Sequence, residues 1–92
     1  MTVKIYKYHL SLEEFPAVRM PERARILHFN NQNESLVIWA EVDVNAPEIT
    51  RHFQVVGTGK AVPTSQTLCG ASYIGSALFQ DGLLVWHLYE IL

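Results

Sequence analysis

The sequence predicts a mainly β protein, a small antiparallel β-sandwich or partly open barrel of six to seven strands. Three observations predict it. Apolar and polar residues alternate along several short stretches, the period of a strand with one buried face. Val, Ile, Tyr, Phe and Trp are concentrated in those stretches, as suits a pleated, half-buried surface. Clusters of Asn, Asp, Gly and Pro separate them at roughly regular spacing, as turns between short strands would.

Residues 3–9, VKIYKYH, alternate and form the first strand. The following LSLEEFPAV is irregular: Pro16 disfavours a helix through it, although SLEE from residue 11 has the makings of a single turn. AVRM, residues 17–20, is a short strand closed by Pro21. RARILHFN, residues 23–30, is the next, with Ile26, His28 and Asn30 on one face and Arg25, Leu27 and Phe29 on the other. NNQNE, residues 30–34, is a turn, because Asn tolerates left-handed backbone. It leads into SLVIWAEVD, residues 35–43, as the second arm of a hairpin. Leu36, Ile38, Ala40 and Val42 make its apolar face; Val37, Trp39, Glu41 and Asp43 make a mixed one.

A loop around Pro47 precedes TRHFQVV, residues 50–56, where Arg51, Phe53 and Val55 face one way and His52, Gln54 and Val56 the other. PTSQTLCGAS, from residue 63, is small and polar, with room for a helical turn. SYIGSALF and LLVWHLYEIL then flank QDG, residues 80–82, and Asp-Gly between apolar runs signals a hairpin. Leu84, Leu88 and Ile91 also have helical spacing; the hairpin signal together with Val85, Trp86 and Tyr89 favours a strand.

The 92 residues fit one domain, 1–92. A chain of this size buries roughly 60–65% of its extended surface. With 49% hydrophobic and 17% charged residues it carries an apolar surplus, which a homo-oligomeric interface would absorb while protecting edge strands. A net charge of −2 does not suit a protein that wraps a nucleic acid duplex. No apolar run reaches the ~18 residues that span a bilayer, and the N-terminal residues lead directly into alternating sequence rather than a signal peptide. The single cysteine, Cys69, forms no intramolecular disulfide. The expected setting is the cytoplasm.

The stretch FQVVGTGKAVPT, residues 53–64, raises the functional question. Glycines let backbone N–H groups converge on an anion, and a lysine adds a full charge; a tight turn or bulge explains the same residues. The loop is not a Walker A motif, because Ala61 and then Pro63 follow Lys60, and it is not a dinucleotide fingerprint. As an anion site it would use Gly57, Thr58, Gly59 and Lys60, with Arg51 and His52 as nearby second contacts and Trp39 or Trp86 stacking on a base. Packing in the core or at an interface is the alternative for each aromatic, Tyr73 and Tyr89 included. Arg19, Arg23 and Arg25, with Lys4 and Lys7, read as surface charge or as a basic rim for a small anion. His9, His28, His52 and His87 lack zinc-motif spacing, so neither a metal nor a cofactor is expected, and no signature pairs them with Cys69. Glu41 and Asp43 share a face that reads as solvated.

KIYKYHL, MPERARIL, LVIWAEVD, RHFQVVGTGKAVP, YIGS and LVWHLYE, spread over nearly the whole chain, resemble a family of small phage- and prophage-encoded proteins. In that family a sometimes basic residue after GTG is followed by a proline, here Lys60 and Pro63. The resemblance implies a phage origin and supplies no activity. Small phage proteins of this size and β content include homo-oligomers that sequester nucleotide-derived immune signals, an analogy of fold and not of motif. The expected function is therefore non-enzymatic: sequestration of a nucleotide-like anionic small molecule, in host cytosol, as an anti-defence protein. The alternative is a protein–protein interaction module that binds a host or phage protein through apolar surface and edge strands.

Overall fold

Alternating apolar residues drive the chain into strands. The computed structural model describes residues 1–62 and 70–92, and among these there are seven strands: β1 (Val3–Leu10), β2 (Ala17–Pro21), β3 (Arg25–Gln32), β4 (Ser35–Asp43), β5 (Glu48–Gly57), β6 (Ala71–Phe79) and β7 (Leu84–Ile91). They form two sheets, β1-β4-β3 and β2-β5-β7-β6, with every pairing antiparallel. The sheets stack without closing into a barrel. The helical turn considered after Pro63, that proline and Cys69 lie outside the described residues.

The apolar face of β4 is the floor of the core. Leu36, Ile38, Ala40 and Val42 are all buried, facing Phe53, Val55, Leu88, Ala77 and Met20 of the other sheet. Each of these side chains other than the two alanines contributes about 1.5–3 kcal/mol by leaving water. The opposite face of β4 is mixed, as its sequence implies. Val37 is nevertheless buried there. Lys7 Nζ donates to Gln32 Oε1 at 2.6 Å, and the register places that bridge across β4 at the level of Val37.

Strand β3 departs from strict alternation. The register slips between Ile26 and His28, so a bulge at Leu27 brings Phe29 onto the core face with Ile26. Phe29 is buried and Leu27 is exposed. The expected grouping of Arg25, Leu27 and Phe29 is thereby corrected: one extra residue in a strand reverses every side chain after it. The strand also begins at Arg25 instead of Arg23, because Arg23 has φ 64° in a turn closed by Ala24 N–H donating to Pro21 O at 3.2 Å. Between β3 and β4 the turn is only Asn33 and Glu34, both with positive φ, as a two-residue type I′ hairpin requires.

The C-terminal segment is a strand. Phe79 pairs with Leu84, and one 3₁₀ turn, Gln80–Gly82, makes most of the connection. β3 packs along β6, where Asn31 Nδ2 donates to Leu78 O at 3.1 Å. At the opposite edge β1 barely touches β2. Tyr6, paired with Ala40 of the core face, is consequently exposed, while Val3 and Ile5 are exposed on the outer face beside Asp43 and Glu41. Residues 11–16 form no strand but run beside β5: Phe53 N–H donates to Pro16 O and Val55 N–H to Glu14 O, both at 2.9 Å.

Candidate functional site

The glycine segment is a turn. Lys60 N–H donates to Gly57 O at 3.0 Å, and Gly59, in third position, has φ 86°. A positive φ there is the requirement of a type II turn. Thr58 N–H donates to Val85 O at 3.2 Å. Two of the amides that an anion cradle would aim at its ligand thus close the turn and tie it to the approach of β7. Gly57 serves packing: a Cβ there would lie 3.2 Å from Trp86 Cζ3, so the missing side chain admits the indole.

What the turn offers a ligand is side chains. Thr58 Oγ1 lies 2.8 Å from His87 Nε2, His87 Nδ1 lies 2.6 Å from Ser76 Oγ, and Ser76 Oγ lies 2.5 Å from Tyr73 OH. A continuous hydrogen-bonded chain therefore runs from the turn across β7 to β6. In a neutral imidazole one nitrogen donates and the other accepts, so the ring joins the two hydroxyls without a third polar partner.

Two clefts flank the turn. One, of about 240 Å³, is bordered by Thr58, Gly59, Lys60, His87 and Tyr89. The other, of about 380 Å³, is bordered by Glu13, Glu14, Gln54, Gly57, Lys60 and Trp86. Lys60 borders both. Two residues that border the larger cleft each hold a buried polar atom without a hydrogen-bond partner among the described residues: the acceptor Gln54 Oε1 and the donor Trp86 Nε1, on opposite faces of the β5–β7 pair. Orphaned polar atoms of this kind are rare in folded proteins and call for an explanation.

Gly57, Thr58, Gly59, Lys60 and Trp86 come together as the sequence suggests, and three of the expected residues do not join them. Arg51 is on the core face, where Nε donates to Glu90 Oε2 at 2.6 Å and Nη2 to Glu90 Oε1 at 2.7 Å, while Nη1 donates to Ala24 O. That bidentate pair and the carbonyl occupy the guanidinium. His52 lies on the other face, five residues of extended chain before Gly57, hence roughly 17 Å away. Proximity in sequence along a strand separates side chains instead of gathering them. Trp39 sits on the far sheet, its ring centroid 5.8 Å from that of His28. His87, Ser76 and Gln54 join the site without having been expected from the sequence. The direct pairing of Ser76 with His87 follows from the hairpin at Asp-Gly, so that signal was present in the sequence.

Among the described residues no group of three His, Cys, Asp or Glu side chains is placed to hold a metal, and no helix is long and apolar enough to cross a membrane. A family model described as Domain of unknown function (DUF7352) matches residues 1–91. No curated protein and no solved structure matches the chain.

Proposed function

The chain belongs to this family, whose description assigns no activity, and from the geometry of the turn we propose that it is a binding protein for a nucleotide-like anion. The observation that carries the reading is the position of Lys60 on both clefts. A phosphate fits against the Lys60 ammonium and the Thr58 and His87 side chains, where no carboxylate borders the cleft among the described residues. The base fits the larger cleft beside Trp86. Glu13 and Glu14 there repel a phosphate but accept the N–H groups of a purine edge. In this reading the protein sequesters its ligand without turning it over. In this reading the cargo is a host immune nucleotide and the place of action the host cytosol, by analogy with small phage proteins of similar size and β content.

The test is thermal. A ligand at a hundred times its Kd stabilises the native state by about 2.7 kcal/mol, which raises Tm by roughly 10–20 °C in a domain of this length. Lys60→Ala should abolish the rise, and in a Trp39→Phe background the emission of Trp86 should change on binding. A panel of linear, cyclic and ADP-ribose-type nucleotides that moves neither Tm nor emission refutes the reading. Product formed in a mass-spectrometric assay, and lost on changing His87, would replace binding by catalysis.

A second reading, an interaction module, is favoured by one observation: Val3, Ile5 and Tyr6 are exposed along an edge strand. Such an edge pairs readily with another strand. A second copy of the chain is the occupant that would bury the apolar surplus, and sedimentation against concentration tests it: a monomer at all concentrations rules that copy out. A host or phage protein as the occupant would remain bound to a Lys60→Ala variant.

A further inference from the structure

We propose that the cleft between β3 and β6 is a second binding site, for a small organic anion whose phosphate or carboxylate group is joined to an apolar body. The cleft measures about 530 Å³, within the range of small-molecule sites. Among the described residues Arg23, Arg25 and Arg51 border it against a single carboxylate, Glu90, so the charges of that lining sum to +3 − 1 = +2. The chain as a whole carries −2.

Three features of the fold converge there. The register slips in β3 between Ile26 and His28 and in β6 between Tyr73 and Gly75. The two extra residues, Leu27 and Ile74, both border this cleft. Bulges of this kind re-aim side chains and concentrate beside functional sites. Here they place apolar groups where the body of a ligand would rest.

The second feature is Arg23. It occupies the third position of the Pro21–Ala24 turn with φ 64°, a place where glycine or asparagine is at ease and arginine is not. Its only ionic partner among the described residues is the neighbouring Glu22, 3.7 Å away and exposed. Arg25 stands 3.6 Å from exposed Glu41. Exposed pairs this long hold their members weakly, so both guanidiniums are available to turn toward a ligand. An arginine kept in a glycine's conformation, without a firm partner, points to a task for the side chain.

The third is the Arg51–Glu90 pair, which borders the cleft with both side chains mostly buried. It lends the site a fixed dipole.

The site is separate from the Lys60 turn, so the two readings stand or fall independently. The experiment is an amide NMR titration of the full chain with three probes: inorganic phosphate, phenyl phosphate and benzoate. Phenyl phosphate should shift the amides of residues 24–27 and 72–74 saturably, and bind more tightly than inorganic phosphate. Benzoate binding as tightly identifies a carboxylate ligand; benzoate failing identifies a phosphate. Arg23→Gly should melt no lower than the parent, since its φ suits glycine, yet weaken phenyl phosphate by roughly 5- to 30-fold, the factor carried by one charged contact. Arg25→Gln should weaken it likewise, and Lys60→Ala should not. The proposal is overturned if no probe shifts these amides, if shifts scatter over basic residues everywhere, or if Arg23→Gly binds as the parent does.

Discussion

Replacing Arg51 by methionine leaves the Glu90 carboxylate alone in a site where it is mostly buried. In the native protein both carboxylate oxygens accept from the guanidinium, at 2.6 and 2.7 Å, and the side chains of Arg51 and Glu90 retain only 16% and 14% of their exposure. Breaking such a pair from one side costs about 3–5 kcal/mol, because a charge remains without its compensation. The loss of the bond to Ala24 O adds to this. For a chain of 92 residues the total stability is on the order of 5–14 kcal/mol, and each kcal/mol moves Tm by about 5 °C. The single variant should therefore melt roughly 15–25 °C lower. The double variant Arg51→Met, Glu90→Leu removes both charges and should recover most of that loss, since a buried pair and an apolar replacement are often equivalent. Thermal unfolding followed by far-ultraviolet dichroism measures both. A single variant that melts within a few degrees of the parent, or a double variant no more stable than the single, refutes the argument that the guanidinium is committed to the fold. The double variant should also retain nucleotide-dependent stabilisation at the Lys60 turn; losing it would restore Arg51 to that site.

Three further outcomes follow from packing and charge. Gly57→Ala places a Cβ 3.2 Å from Trp86 Cζ3, so the indole must give way; a loss of about 1 kcal/mol in urea unfolding is expected, with a shift in Trp emission. Phe53→Ala empties a fully buried position at the centre of the core and should cost about 3–5 kcal/mol by the same measurement. The Tyr8 hydroxyl is held above its ordinary value of 10.0, first by burial, then by the nearby charges of Glu48 and Tyr6. The unfolded chain thus loses this proton more readily than the folded one, so the contribution is intact below pH 10.0 and fades as the pH climbs from there through the higher folded value. Tyr8→Phe should flatten that alkaline decline in a pH series of denaturant melts; a decline of unchanged steepness contradicts it.

The strands were legible because burial writes period two into the sequence. β4 shows this most directly: every residue of its expected apolar face is buried. The last segment is legible as a strand because Asp-Gly sets the hairpin, although Leu84, Leu88 and Ile91 also have helical spacing. The bulge at Leu27 was not legible, since an inserted residue leaves no mark on composition and only the partner strand reveals it. The same limit applies to the site. That GTGK bends was readable from its glycines; that Thr58 and Lys60 spend their amides on the bend depends on where Val85 O arrives. Arg51 looked available because an isolated strand shows no partner, and Glu90 comes from a segment 39 residues away.

The chain of Thr58, His87, Ser76 and Tyr73 has a directional consequence. Each hydroxyl has one hydrogen to give, and a neutral imidazole passes a donor from one nitrogen only. Choosing which way Thr58 points therefore fixes the tautomer of His87 and the orientation of Ser76 in turn. Tyr73 ends this relay, and it is also one of the residues that line the arginine-bordered cleft. The four side chains therefore share a single polarity, and a hydroxyl that turns obliges its neighbours to exchange donor and acceptor roles without moving a strand.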